Sequence, residues 1–148
     1  MINVGKVARC CLSVAALMLL VWTAGCGGND NLGGVYGTVT MDGEPLADAL
    51  VTFAPLEPGR PAAGRTDEQG RYELVFSRDA EGALIGEHLV SISTYNVVPG
   101  EGDTEKVIPE SVPAKYNVNS QRKVTVEAGS NEFNFDLDSE GEVIEPQN

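Results

Sequence analysis

The fold is decided by VYGTVTMDGEPLADALVTF, residues 35–53. Its first seven residues alternate apolar or small side chains with polar ones, at the period of two that is typical of a half-buried β-strand. The following DGEP, residues 42–45, has turn chemistry, because Gly43 can take a positive φ there. LVTFAP, residues 50–55, then predicts a second strand that ends at Pro55.

Residues 64–76, GRTDEQGRYELVF, predict a strand, a four-residue turn and another strand. Asp67 can accept hydrogen bonds from the backbone amides that follow it, and Gly70 can adopt the left-handed conformation required at the turn exit. We therefore single out Asp67 and Gly70 as structural turn residues.

Two further segments carry the same period. GEHLVSISTY, residues 86–95, predicts a single strand, and RKVTVEAGSNEFNFDLD, residues 122–138, predicts a hairpin that turns at residues 129–131. In the first segment, His88, Val90 and Ile92 share one face and Leu89 lies on the other. In the second, we expect Phe133, Phe135 and Leu137 to point inward.

These segments give about seven short strands, and no convincing helix follows residue 26. With 17 glycines, 6% aromatic residues and room for one domain in 148 residues, the chain is suited to an all-β fold with many turns. A single sheet would leave one apolar face in water, so we expect a small antiparallel β-sandwich.

One long stretch, residues 96–119, contains three prolines and has no clear period. Loops of this length in a compact domain are usually functional or disordered. Its apolar residues exceed what a linker needs. Two interpretations stay open: a lid that packs on the sandwich, or an interaction surface.

Charge excludes one class of partner. Lys6 and Arg9 are the only charged residues before Cys26, so the chain from Cys26 onward has 8 basic and 22 acidic residues, a net charge of −14. Such a surface repels phosphate backbones, so we expect no nucleic-acid partner. It also does not adhere electrostatically to anionic lipids, so membrane attachment needs another cause.

The first 25 residues have the pattern of a secretory signal peptide. Two positive charges precede thirteen uncharged residues, 10–22, and small residues follow. This run is too short for a permanent transmembrane helix, which needs roughly 20 apolar residues. Cleavage then yields either a soluble exported protein or one with lipid attached at Cys26.

The end of this segment, TAGC at residues 23–26, resembles the lipobox of bacterial lipoproteins, with Thr23 where Leu is commonest. The resemblance implies removal of residues 1–25 and attachment of acyl chains, such as palmitate, at Cys26. Gly27 follows, rather than the Asp associated with inner-membrane retention, which favours the outer membrane. Two or more acyl chains hold a protein stably at a bilayer.

The body carries a second resemblance. VYGTVTMDGEPLADALVTF, followed by TDEQGRYEL at residues 66–74, resembles the carboxypeptidase regulatory-like domain, a transthyretin-like (prealbumin-type) sandwich. Asp48, where Gly is common, and Ile85, where Pro often stands, depart from that pattern. The resemblance implies an accessory or structural module without a reaction of its own. The matching positions are Val35, Gly37, Val39, Gly43, Pro45, Leu46, Ala49, Val51, Thr66, Asp67, Gly70, Tyr72 and Leu74.

Catalytic and metal chemistry find little support. His88 is the only histidine and lies in an alternating strand, so a structural or surface role is favoured over a Ser-His-Asp triad. Zinc lacks ligands, since the mature chain has no free thiol. Calcium at Glu101, Asp103 and Glu105 is an alternative to a solvated charge run, although the spacing of a calcium loop is absent.

We therefore expect a non-catalytic lipoprotein of the cell envelope, without a cofactor, attached to the membrane through Cys26. Its expected parts are a signal peptide (1–25), a lipidated Cys and glycine-rich tether (26–34), a β-sandwich (35–138) and a loose acidic tail (139–148). Its role is structural or protein-binding; the alternative is an exported carbohydrate- or peptide-binding module.

Overall fold

The computed structural model describes residues 31–145, so the signal peptide, Cys26 and most of the tether lie outside the described residues. The expected all-β sandwich is confirmed, because two sheets enclose one apolar core. Its strand pairing is antiparallel except where the first strand runs parallel to two later ones. The strands are β1 (Leu32–Met41), β2 (Glu44–Pro45), β3 (Leu50–Pro55), β4 (Ala62–Arg65), β5 (Arg71–Glu73), β6 (Val75–Ser77), β7 (Ala80–Glu81), β8 (Ala83–Leu84), β9 (Gly86–Ser93), β10 (Asn96–Pro99), β11 (Glu105–Ile108), β12 (Lys123–Val126), β13 (Gly129–Glu132) and β14 (Phe135–Leu137).

The first sheet is organised around β1, which pairs antiparallel with β2, β5 and β8 and parallel with β13 and β14. The second sheet has the order β12-β9-β3-β4-β6-β7. β10 and β11 pair with each other as a separate hairpin. The alternation expected for β1 is confirmed, since Val35 and Val39 are buried while Tyr36 is exposed.

Aromatic rings join the two sheets across the core. Phe53 of β3 lies 6.3 Å, between ring centroids, from Phe135 of β14 and 5.6 Å from Phe133. Tyr72 of β5 stacks on Phe135 at 6.2 Å. Side chains of this size contribute much of the apolar area that a small sandwich removes from water.

The hairpin expected over residues 122–138 is wrong. β12 pairs antiparallel with β9 in the second sheet, whereas β13 and β14 pair with β1 in the first. At the crossing, Gly129 has a φ of +94°, and the Asn131 side chain accepts from the Glu127 amide and donates to the Glu127 carbonyl. Alternation along each strand is the same for a hairpin and for a crossing between sheets, so the pattern did not distinguish them.

The estimate of about seven strands is low, because fourteen strand segments are present among residues 31–145. Several predicted strands divide where the chain changes sheets. At residues 71–77, β5 pairs with β1 in one sheet and β6 pairs with β4 in the other, with the fully buried Leu74 between them.

The body begins earlier than residue 35. β1 starts at Leu32, which pairs with Leu84, and Gly33 pairs with both Ala83 and Gly129. At the other terminus, the described part of the acidic tail makes hydrogen bonds to the body: the Ser139 amide donates to Asp42, and the Glu142 carbonyl accepts from the Ala114 amide at 2.7 Å.

Candidate functional site

The sandwich has two ends that differ in what they carry. The chain enters at Asn31, whose carbonyl accepts a hydrogen bond from the Ile85 amide, next to the start of β9 at Gly86. β9 ends at Ser93, about 23 Å away at the usual rise of ~3.3 Å per residue. We call these the entry end and the distal end. The whole 96–119 stretch follows β9 and therefore begins at the distal end.

The first half of that stretch is a β-hairpin, residues 96–108, which we call the distal hairpin. The expectation of an irregular loop is therefore wrong for these residues, because β10 and β11 form four registered pairs. Val97 and Val107 lie directly opposite each other, and both side chains are exposed, by 38% and 54%. The hairpin pairs with no other strand of the described chain, so these two valines form a small apolar surface that is open to a partner.

The tip of the distal hairpin is acidic and locally ordered. The Gly100 amide donates to the Thr104 carbonyl at 2.9 Å, and the Thr104 hydroxyl donates to the Glu101 carbonyl at 2.7 Å. The exposed Glu101, Asp103 and Glu105 surround this turn. Within residues 31–145, no three His, Cys, Asp or Glu side chains lie close enough together to hold a metal ion.

The second half of the stretch, residues 109–119, packs onto the sandwich. Val112 is fully buried, and Ala114 lies in a single 3-10 turn, Ala114–Tyr116, with 4% of its surface exposed. Tyr116 packs against the core and its hydroxyl donates to Asp138 at 2.7 Å. The packed-lid interpretation fits this half, whereas the distal hairpin stays exposed.

One buried carboxylate joins the two halves. Glu110 is only 6% exposed, and its Oε1 accepts from the Thr94 amide (2.9 Å), the Thr94 hydroxyl (2.7 Å) and the Ser111 and Val112 amides (3.0 Å each). Its Oε2 accepts from the Ser93 hydroxyl at 2.5 Å. We call this arrangement the Glu110 clamp. It ties the base of the distal hairpin to the end of β9.

The clamp holds an ionised carboxylate. Burial acts to raise the pKa of Glu110, but hydrogen bonds from the Ser93 and Thr94 hydroxyls and from the Val112 and Thr94 amides outweigh it, so the pKa lies below its ordinary value. Sequence reasoning missed Glu110. The one available signal was a single acidic residue within the apolar run VIPESVP, residues 107–113.

The turn residues singled out from the sequence lie at the distal end of β1. Asp67 Oδ1 accepts from the Gln69 and Arg71 amides, both at 2.9 Å, and Gly70 has a φ of +74°. The pKa of Asp67 lies below its usual range, mainly because of the hydrogen bond from the Arg71 amide. The Arg71 guanidinium, whose Nε lies 3.0 Å from Asp67 Oδ2, lowers this pKa further. The Gly70 carbonyl accepts from the Val39 amide, so this turn, which leads from β4 of the second sheet to β5 of the first, is held against β1.

His88 is buried in the core, and it also lines an open cleft next to Asn31. It is 1% exposed, its ring lies 5.9 Å from that of Phe53, and Nδ1 donates to the Gly86 carbonyl at 3.0 Å. Its Nε2 has no hydrogen-bond partner within the described part of the chain. These contacts are those of a packing residue.

A polar cleft of about 550 Å³ lies on the outer face of the first sheet. Tyr36, which is 45% exposed, lines it together with Arg65, Arg71 and Glu132. An exposed aromatic ring flanked by charged hydrogen-bonding groups can stack on a sugar ring or a peptide side chain.

Membrane attachment is not visible in the described residues. No helix among residues 31–145 is long and apolar enough to cross a bilayer. Cys26 lies outside this part of the chain, so lipid attachment there stays a prediction.

Comparison with known proteins identifies no family. No family model and no curated protein matches the chain. Among solved structures, a 9R-lipoxygenase from Cyanothece PCC8801 matches with a TM-score of 0.42 and 13% identity, over 73% of this chain and 16% of the lipoxygenase. A DUF3823 family protein from Parabacteroides merdae ATCC 43184 matches with a TM-score of 0.38 and 13% identity, over 74% of this chain and 47% of that one. The chain thus spans less than half of either protein, and neither likeness assigns an activity to it.

Proposed function

We propose that this protein is a non-catalytic lipoprotein of the bacterial cell envelope, anchored through Cys26, that presents the distal hairpin to a partner protein. The observation that carries this proposal is that the entry end and the distal end of the sandwich differ. The chain enters at one end, five residues after Cys26, and the exposed Val97–Val107 pair follows β9 at the other end. An anchored body of this shape holds its hairpin away from the lipid.

Three features support this proposal. TAGC at residues 23–26 resembles a lipobox, and 35–53 with 66–74 resembles a carboxypeptidase regulatory-like domain, which is typically an accessory module. The Glu110 clamp fixes the base of the distal hairpin, and a fixed base lowers the entropy lost when a partner binds. The outer membrane is the favoured location because Gly27 follows the cysteine.

Cys26→Ala tests the anchor. We expect wild-type protein in the membrane fraction with an acylated amino terminus by mass spectrometry, and the variant released from the membrane. Membrane retention of the variant, or an unmodified wild-type amino terminus, would contradict lipid anchoring.

A photo-crosslinking residue at Val107 tests the hairpin. We expect a discrete adduct with another protein in whole cells, and loss of that adduct when Val97→Lys is added. Val75 is the matched control, because it is also an exposed valine (48%) on a strand but lies in the second sheet. Equal adducts from both positions would contradict a specific role for the hairpin.

The polar cleft supports one other function, binding of an exported glycan. Tyr36 is its exposed aromatic residue. Retention on a glycan array that Tyr36→Ala abolishes and Val107→Lys leaves intact would favour this function over the first.

A further inference from the structure

The entry end carries an apolar surface that the proposed hairpin function does not use. An open cleft of about 380 Å³ lies there. Its apolar lining residues are Pro55, Pro58, Leu84 and Ile85, and Asn31 and the buried His88 also line it. Ile85 is 43% exposed, and the neighbouring Leu56 is 46% exposed. We call the surface formed by Pro55, Leu56, Pro58, Leu84 and Ile85 the entry-end patch.

The backbone holds the entry-end patch beside the point where the chain enters. The Ile85 amide donates to the Asn31 carbonyl, and the Leu56 amide donates to the Glu87 carbonyl, both at 2.9 Å. The first bond places Ile85 next to Asn31, and the second joins Leu56, which follows β3, to the start of β9 at the same end. Any group attached shortly before Asn31 is therefore kept close to this patch.

The reach of the chain limits how far the patch lies from the anchor. Five residues lead from Cys26 to Asn31, the first residue that the structure describes, counting Asn31 itself. A fully extended chain spans at most ~3.6 Å per residue, so Asn31 lies within about 18 Å of the Cys26 backbone. A tether this short raises the local concentration of lipid at the patch, and even a weak surface contact is then populated.

We propose that the entry-end patch rests on the phospholipid surface, with Leu56 and Ile85 in the interfacial region. This inference rests on the proposed anchor at Cys26. Apolar side chains gain free energy from leaving water at that interface, and the sandwich then stands with its distal hairpin directed away from the membrane.

Charge sets which lipid surface is favoured. Two carboxylates, Glu57 and Glu87, line the cleft, and the chain from Cys26 onward has a net charge of −14. Contact with a zwitterionic surface is therefore favoured, and an anionic surface repels the same end. Salt shortens the range of that repulsion.

The test uses the acylated full-length protein in phosphatidylcholine vesicles. Acylation blocks the Cys26 thiol, and cleavage of the signal peptide removes Cys10 and Cys11. Ile85→Cys therefore introduces the only reactive thiol. A polarity-sensitive fluorophore on that thiol should shift to the blue and be quenched by lipid-borne nitroxide. Val107→Cys, on the distal hairpin, is the matched control and should show neither effect. Leu56→Cys should behave like Ile85→Cys.

Replacing about a third of the lipid with phosphatidylglycerol should reduce the Ile85 signal, and added salt should restore it. If the acylated protein floats with the vesicles but the Ile85 and Val107 labels are equally exposed to water, the patch does not contact lipid, while the anchor stands. A blue shift that depends on protein concentration, without quenching by lipid-borne nitroxide, would show that a second copy covers the patch. That result would also overturn the inference. A protein that is neither acylated nor vesicle-bound would remove the anchor itself.

Discussion

Replacing Glu110 tests the account of the distal end most directly. Glu110→Ala removes both carboxylate oxygens, which leaves the buried amides of Thr94 and Val112 without an acceptor. Each buried, unsatisfied amide costs roughly 1–3 kcal/mol. The variant should therefore lose about 2–6 kcal/mol, a large part of the ~5–15 kcal/mol that holds a typical domain folded.

Glu110→Gln separates shape from charge. The amide oxygen can still accept from the donors that meet Oε1, and the Ser93 hydroxyl can rotate to accept from the new NH₂ group. The variant loses the charge-assisted part of these bonds, so we expect a smaller cost of about 1–2 kcal/mol at pH 7. Glu105→Gln, on the exposed hairpin, is the control and should stay within about 0.5 kcal/mol.

The cost should depend on pH with a defined sign. The pKa of Glu110 in the folded chain lies below its ordinary value of 4.5, so the unfolded chain takes up a proton first as the pH falls. The stabilisation from this carboxylate is complete above pH 4.5 and is lost as the pH falls through the lower, folded pKa. The difference between wild type and Glu110→Gln should therefore shrink across that interval.

Urea unfolding followed by far-ultraviolet circular dichroism, at several pH values from 7 down to 3, measures these differences. Circular dichroism is the suitable signal because the only tryptophan, Trp22, lies in the segment expected to be removed. A Glu110→Ala variant as stable as wild type, or a difference between Glu110→Gln and wild type that is constant with pH, would refute the clamp.

Two further substitutions test the packing of the sheets by the same unfolding measurement. Gly70→Val should destabilise the fold more than Gly43→Val. Both glycines have a positive φ, but a Cβ at Gly70 would clash with the Val39 carbonyl oxygen, whereas the space at Gly43 is open. Equal losses would show that backbone strain alone matters. Tyr72→Phe should lower the free energy of unfolding by about 1 kcal/mol, because the Tyr72 hydroxyl donates to the Phe133 carbonyl at 2.8 Å. An unchanged urea midpoint would mean that water replaces this bond.

The sequence alone predicted local features well. Alternation located β1, β3 and β9, and the turn chemistry of Asp67 and Gly70 matches the hydrogen bonds and the positive φ found there. These features depend on residues close together in the chain, and backbone preference and side-chain period act at that range.

Only the tertiary structure decided which strands pair and which side chains meet across the fold. Residues 122–138 alternate as a hairpin would, yet β12 and β13 lie in different sheets, because burial of Val126 and Phe135 from opposite sides of the core favours a crossing. Glu110 likewise has no local signature, since its hydroxyl donors, Ser93 and Thr94, lie 16 or 17 residues earlier in the chain. A period of two tells which side chains turn inward, but which strand lies alongside depends on how distant segments together remove apolar surface from water.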